Sequence, residues 1–264
     1  MRIVVTGAHG LIGWHAHARL HAANCAAEFN NEPQPFDIVA LDHAAFDNDA
    51  TLRSALDGAQ AVLHFAGVNR APDNEVETAN PAIAVRLAEA CKAVEAAPHI
   101  VYANSTHAVN DTSYGRSKRI AGEVLSQAGG KYTDMVLPHI FGECARPNYN
   151  NVTATFIEAV IKEETPVINP KGRVSLLHAG AAAQAAIEAV RSGRTGSLHP
   201  TARDIAVVDL FKTLQRFHID YQANIYPDLR DPFTVSLFNT YRAALYPQGF
   251  PRPLKLNIDA RGTL

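Results

Sequence analysis

The opening stretch MRIVVTGAHGLIG constrains this chain more than any other. Arg2–Thr6 is a short run dominated by β-branched residues, which reads as a strand buried on both faces. It runs into Gly7-Ala8-His9-Gly10-Leu11-Ile12-Gly13, and Leu11–His21 then carries apolar residues at helical spacing. A glycine-rich turn between strand and helix lets the backbone approach a pyrophosphate, while the helix N-terminus offers free N–H groups and the positive end of its dipole. The third glycine, Gly13, allows the helix to pack closely on the strand. A dinucleotide is therefore the expected ligand of Gly7, His9, Gly10, Leu11, Ile12 and Gly13.

The alternation continues. Strands are expected at Phe36–Leu41, Ala61–Phe65, His99–Ala103 and Asp134–His139, separated by helices at Thr51–Leu56, Ala79–Ala97 and Tyr114–Gln127. Cys25–Pro35 reads as an insertion before the second strand. Such spacing predicts βαβ units and a right-handed parallel sheet, a doubly wound α/β Rossmann-type fold over residues 1–142. After residue 142 the pattern changes to helices at Thr153–Lys162, Ala179–Arg191 (closed by Gly193), Val207–Phe217 and Ser236–Leu245, with one strand at Val174–Leu177. Residues 143–264 are expected to form a smaller substrate-binding lobe, with sheet-completing segments near 174–192.

The chain has 264 residues, 47% of them hydrophobic, enough for a full core with a smaller lobe. A net charge of −2 recruits neither nucleic acid nor an anionic membrane. No apolar run approaches the roughly 18 residues of a membrane helix, and the N-terminus does not read as a signal peptide. Cys25, Cys91 and Cys144 are odd in number and widely spaced, which fits reduced thiols and a cytoplasmic protein. His17 and His21 share a helix face without the intervening glutamate of a zinc helix, so no metal site is expected.

Residues 104–118, NSTHAVNDTSYGRSK, place Tyr114 and Lys118 at i and i+4 on one helix face, just past a strand end. A phenol titrates near 10, and a neighbouring ammonium is expected to bring it down into the range of acid–base work. Asp42 ends the second strand, where a carboxylate accepts a hydrogen bond from an adenosine ribose. Residues 43–52 hold no Lys or Arg, so local charge favours NAD; His9 and His43 keep NADP open.

The glycine turn, His64-Phe65-Ala66-Gly67, Asn80, Ser105-Thr106 and Tyr114-x-x-x-Lys118 together resemble an extended short-chain dehydrogenase/reductase of the NAD-dependent epimerase/dehydratase group, over roughly residues 1–195. HFAGVNR (64–70), YGRSK (114–118), RPNYNNVTATF (146–156) and RPLKLNIDARG (252–262) look like the reductase half of bacterial capsule enzymes that epimerise and reduce a UDP-linked 4-keto-6-deoxy-hexosamine. In that group a cupin domain follows the reductase, and this chain ends where it would begin. Epimerisation at C3 and C5 of the sugar is therefore not expected of it.

The resemblance implies that Thr106, Tyr114 and Lys118 are catalytic. Thr106 and Tyr114 would bond the substrate oxygen, and Lys118 the nicotinamide ribose. It adds Phe65, Ala66, Gly67 and Asn80 to the cofactor site, although Asn80 before Pro81 also reads as a helix N-cap. Ser105 is expected to pack or bond backbone, and His64 to be a satisfied strand-end residue. Asn69, Arg70, His107, His139, Arg146, Asn148, Asn150 and Asn151 are candidates to contact a nucleotide sugar, Arg146 by its planar fork. A polar surface turn is the competing reading for 146–151. His139 stands where relatives often carry asparagine, and the acidic pair usual after His178 is missing. The implied activity is NAD(P)-dependent reduction of a nucleotide-linked keto-sugar. The alternatives are a UDP-sugar 4-epimerase and a non-catalytic dinucleotide-binding protein. A homodimer is expected from the resemblance alone.

Overall fold

The computed structural model describes residues 1–251 and 258–263; residues 252–257, which open the RPLKLNIDARG stretch, lie outside them. In chain order the elements are β1 (Arg2–Thr6), α1 (Leu11–Phe29), β2 (Asp37–Leu41), α2 (His43–Asp47), α3 (Asp49–Leu56), β3 (Ala61–His64), α4 (Asp73–Ala93) and β4 (His99–Ser105). A 3₁₀ turn (Thr106–Val109) leads to α5 (Ser113–Ser126), β5 (Tyr132–Leu137), β6 (His139–Phe141), α6 (Val152–Ile161), β7 (Arg173–His178) and α7 (Ala179–Ser192). The chain continues through β8 (Gly196–Leu198), β9 (Arg203–Ala206), α8 (Val207–Gln222), α9 (Pro232–Leu245), β10 (Ile258–Asp259) and β11 (Gly262–Thr263).

Six strands form one sheet in the order β2-β1-β3-β4-β5-β8, and every pairing in it is parallel. Its strands are apolar on both faces: Ile3, Val4, Val5, Ala61, Val62 and Leu63 are all fully buried, as a sheet covered on both sides requires. One face packs with α1 and α7 through Leu20, Ala182, Ala186 and Ile187. The other packs with α2 to α5 through Phe46, Leu52, Leu87 and Leu125. The strand order reverses between β1 and β3, and ligands of open α/β sheets bind outside the strand ends at such a point. A second sheet, β6-β7-β9, pairs β6 with β7 in parallel and β9 antiparallel. It shares a separate core with α6, α8 and α9, rich in Phe156, Phe211, Phe217, Tyr221, Phe238 and Tyr241.

Several boundaries differ from the sequence reading. Helix α1 does not stop at His21, because Ala22, Ala23, Ala26 and Ala27 offer no breaker; Cys25–Phe29 extends it rather than opening an insertion. Asn24 then fixes the return to β2, donating to the Phe36 carbonyl at 2.8 Å and accepting from the Phe36 N–H at 3.1 Å. Helix α4 starts at Asp73, with acidic residues in its first turn and Pro81 inside it, so Asn80 is no N-cap. Pro138 interrupts what looked like one strand through His139: β5 stays in the large sheet and β6 leaves for the small one. The strand beyond β5 in the large sheet is β8 (Gly196–Leu198), whereas β7 belongs to the small sheet.

The turn after β1 depends on two glycines. Gly7 holds φ +64°, and a methyl there would lie 2.8 Å from the Ala66 nitrogen. A methyl on Gly13 would lie 2.1 Å from the Gly7 carbonyl oxygen. Gly13→Ala is accordingly expected to destabilise the fold by about 1–3 kcal/mol, the ordinary cost of overpacking. A urea midpoint equal to wild type would show that the close approach of α1 to the turn is not required.

Candidate active site

The glycine turn leaves the first turn of α1 open. Gly10 caps that helix without a side-chain hydrogen bond, and no acidic residue stands in its first turn. Leu11 and Ile12 are half-buried and His9 is exposed. The free N–H groups and the Gly7-Gly13 cradle fit a pyrophosphate, with no side chain in the way. Asp42 N-caps α2, its Oδ1 accepting from the Ala45 N–H at 2.8 Å, and its second carboxylate oxygen remains for a ribose. His43 is exposed and pairs with Asp47 at 2.8 Å.

Beyond β3 the chain passes directly beside the α5 face. Buried Asn80 clamps that loop: it accepts from the Val68 N–H at 2.9 Å and donates to the Val68 carbonyl at 2.9 Å and to Ser117 Oγ at 3.0 Å. Gly67 is needed there, since a methyl would lie 2.8 Å from Asn80 Oδ1 and 4.0 Å from Lys118 Nζ. Phe65 and Ala66 are half-buried at the same strand end. His64 is fully satisfied: Thr6 Oγ1 lies 2.8 Å from its Nδ1, and its ring stacks on Tyr102. Burial, and then the nearby Lys118, push its pKa down to about 3. It is a neutral core residue.

Strand β4 and helix α5 bring Ser105, Tyr114 and Lys118 together. Lys118 Nζ is buried, donates to the Ala103 carbonyl at 2.6 Å and sits 4.2 Å from the centre of the Tyr102 ring. Tyr114 is half-buried, and the side chain of Ser105, the last residue of β4, lowers its pKa against the effect of burial. Thr106 is exposed and begins the 3₁₀ turn, with His107 exposed beside it. Ser105 is buried at the strand end and Thr106 is exposed one residue later, so the two neighbouring hydroxyls stand on different sides of the turn. Ser105 is itself placed by Asn104, which accepts from the Ser105 N–H at 2.8 Å and donates to Asp134 at 2.8 Å. Neither Asn104 nor Asp134 was visible as a site residue, since only the pairing of β4 with β5 makes them neighbours.

The loop after β6 faces the loop after β3. Arg70 donates to the Asn148 carbonyl at 2.6 Å and lies over the Tyr149 ring, while Asn150 donates to the Asn69 carbonyl at 3.0 Å. Asn151 is buried as the N-cap of α6 and donates to the Ile140 carbonyl, so both ends of its amide are committed to the fold. His139 is half-buried, its Nε2 3.4 Å from the Val152 nitrogen, and burial lowers its pKa with help from His107. Arg146 is exposed and pairs with no carboxylate among the described residues.

Residues 3–199 match the NAD dependent epimerase/dehydratase family. The chain belongs to that family. It is an enzyme acting on sugar nucleotides, and family members use NAD(P). The UDP-2-acetamido-2,6-beta-L-arabino-hexul-4-ose reductase of Pseudomonas aeruginosa is 26% identical over 273 residues, spanning 100% of this chain and 70% of the relative. Among solved structures, the capsular polysaccharide assembling protein CapF from Staphylococcus aureus is 23% identical with a TM-score of 0.74, over 100% of this chain and 70% of that one. The UDP-glucose 4-epimerase of Thermus thermophilus, in complex with NAD, is 16% identical with a TM-score of 0.72, over 94% of this chain and 100% of that one. These likenesses establish the fold. No described helix is long and apolar enough to cross a membrane.

Burial raises the Tyr114 pKa, and the Ser105 side chain opposes that rise. Lys118 carries the larger perturbation: burial brings it down to about 7, against the attraction of Asp134. A lysine depressed from 10.5 to about 7 binds fewer protons folded than unfolded between those values. Stability linked to it therefore rises with pH across that window, and the full cost of the buried charge is present below it. Lys118→Met is expected to raise the Tm by ~5 °C at pH 6, a gain that shrinks toward pH 10. Thermal melts across that range check this; a variant less stable than wild type at pH 6 would contradict it.

Proposed function

We propose that this enzyme is an NAD(P)-dependent reductase of the 4-keto group of a nucleotide-linked 6-deoxy-hexose or hexosamine. The observation that carries the reading is the convergence of Ser105, Tyr114 and Lys118 at the carboxyl ends of the sheet, beside the phosphate turn. The whole-length match to a hexul-4-ose reductase supports the substrate class. Gly7, Gly10 and Gly13 would hold the dinucleotide pyrophosphate, Asp42 the adenosine ribose, and Lys118 the nicotinamide ribose. When bound, the reduced nicotinamide supplies hydride to the carbonyl carbon. Tyr114 donates a proton to the carbonyl oxygen, and Ser105 holds that oxygen with a second hydrogen bond. Thr106, at the pocket rim, is placed to contact the sugar. The clasp of Asn69 and Arg70 with Asn148 and Asn150 closes one side of the expected sugar-nucleotide cleft, with Arg146 free for the diphosphate. The partition into a dinucleotide-binding part (1–142) and a substrate lobe (143–264) follows this division of labour, and a homodimer remains part of the proposal.

The likeness to a hexul-4-ose reductase over the whole of this chain favours reduction over the 4-epimerase alternative. A reduction begins with a protonated phenol, whereas the first step of an epimerase removes a proton from a sugar hydroxyl and begins with a phenolate. Tyr114→Phe is expected to cut kcat by about 10²–10⁴-fold while leaving NAD(P)H binding nearly intact. The assay is loss of reduced-nicotinamide absorbance with a 4-keto-6-deoxy sugar nucleotide. Retention of a tenth of the wild-type rate would remove Tyr114 from the reaction, and interconversion of 4-hydroxy epimers without net cofactor turnover would favour the epimerase.

Local charge at the end of β2 favours NADH over NADPH. A 2′-phosphate beside Asp42 meets another anion, and no Lys or Arg follows within residues 43–52. Asp42→Asn retains a capping oxygen and removes the charge. It is expected to narrow the NADH-over-NADPH preference in kcat/KM by about tenfold, roughly 1.4 kcal/mol. A wild-type preference for NADPH, unchanged in this variant, would place the ribose away from Asp42.

A further inference from the structure

Away from the reaction centre, three side chains from distant parts of the chain converge. His15 lies in the second turn of α1, Glu143 follows β6, and His178 ends β7. His178 Nε2 is 2.8 Å from Glu143 Oε2, and His15 Nε2 is 3.5 Å from the same oxygen. The three donor atoms all lie within 4.8 Å of one another. His15 is only 8% exposed, and its buried Nε2 has no hydrogen-bond partner. A buried ring nitrogen without a partner carries a desolvation cost that a ligand in the shared space would remove. Gly142 borders both ring nitrogens: a methyl added there would lie 3.3 Å from His15 Nε2, 3.5 Å from His178 Nε2 and 3.1 Å from Ala179 Cβ, so any side chain would crowd them.

We propose that His15, Glu143 and His178 form a binding site for a zinc-class divalent ion, with solvent in the fourth position. Nitrogen and oxygen donors about 2.0–2.1 Å from a tetrahedral ion stand roughly 3.3 Å apart. The observed separations from Glu143, 2.8 and 3.5 Å, fall on either side of that, and the two ring nitrogens lie within 4.8 Å of each other, so binding needs the two imidazoles to close on the ion. Two imidazoles and a carboxylate suit zinc, and they select against magnesium and calcium, which take oxygen ligands. Burial, then His178, hold the His15 pKa below its ordinary value against Glu143, with Arg19 acting in the same direction. Burial pushes Glu143 up, but the His178 hydrogen bond and the charges of both histidines bring it below its ordinary value overall. A neutral imidazole and an ionised carboxylate are the forms that ligate a metal. The Arg19 guanidinium and the Nδ1 edge of His178 both border Gly180, so this cation lies on the ring edge away from Glu143. A bound ion would join the helix of the phosphate turn to the small sheet, a tie that needs no contact with the reacting atoms.

Co²⁺ and Zn²⁺ test this on the full chain after chelator treatment and dialysis. Wild type is expected to take up one equivalent of Co²⁺ with visible d–d absorption, displaced by Zn²⁺. Zn²⁺ in 100-fold excess over its Kd is expected to raise the Tm by about 5 °C. Glu143→Gln replaces the shared carboxylate with a neutral amide, and Gly142→Ala crowds both ring nitrogens while keeping all three ligands; both are expected to abolish the absorption and the Tm shift. The exposed pair on α1, His21 Nε2 3.6 Å from Cys25 Sγ, is the competing surface site, and His21→Ala is expected to leave the signal unchanged. Absence of d–d absorption in wild type would overturn the proposal. So would absorption that survives Glu143→Gln and Gly142→Ala, or that disappears in His21→Ala.

Discussion

Lys118 Nζ is an amine held inside the protein between a strand and the helix that crosses it, and much of the surrounding structure exists to hold it there. Among the described residues no carboxylate comes within ion-pair distance of it. Its partners are the Ala103 carbonyl and the face of Tyr102, which stabilise a cation only in part. Such a site requires α5 to lie close on β4 and β5. Gly122 permits this, since a methyl there would stand 3.1 Å from Tyr132 Oη and 3.5 Å from Asn104 Nδ2. Gly115 does the same at the start of α5, where a methyl would lie 2.3 Å from the Asn110 carbonyl oxygen. Helix α4 braces α5 from the other side through Asn80–Ser117 and the Arg116–Glu77 pair. The amine is therefore the destabilised element, and the packing of two helices and two strands supplies the offsetting stability.

The same constraint explains what could be read from the chain before its structure. The turn after β1 was legible because it depends on backbone geometry that few residues tolerate, and Gly7 and Gly13 announce it. The parallel sheet was legible because strands covered on both faces are apolar throughout. Helix limits were less so: the alanines around Cys25 permit α1 to continue without requiring it, and nothing local says that Pro81 sits inside α4. Within the site, Tyr114 and Lys118 follow from helical spacing. The different settings of Ser105 and Thr106 do not, because only the end of the strand leaves one hydroxyl buried and the next exposed. The order of strands in the second half was hidden for a related reason. β8 and β9 have only 3 and 4 residues and carry Gly, Ser, Arg and Asp, so pairing rather than propensity makes them strands. The His15–Glu143–His178 cluster leaves no sequence signature at all, since its members lie on separate elements.

The cleft between the two loops is not a set of free donors waiting for a ligand. Arg70, Asn148 and Asn150 bond across it to each other's loops, and Asn151 is spent on the α6 cap. Two of these contacts use main-chain carbonyls, so the side chains of Arg70 and Asn150 retain further N–H groups for a ligand. The arginine can therefore keep its carbonyl bond and present the rest of its fork, and the clasp orients that fork instead of competing with substrate. Asn148 and Asn150 adopt positive φ, which keeps this loop in a tight conformation without glycine. Preorganisation of this kind reduces the side-chain ordering that binding would otherwise require. On the proposed reading it also separates two functions along the chain: β4 and α5 would carry the reacting groups, while the loops after β3 and β6 would shape the opening through which a sugar nucleotide reaches them.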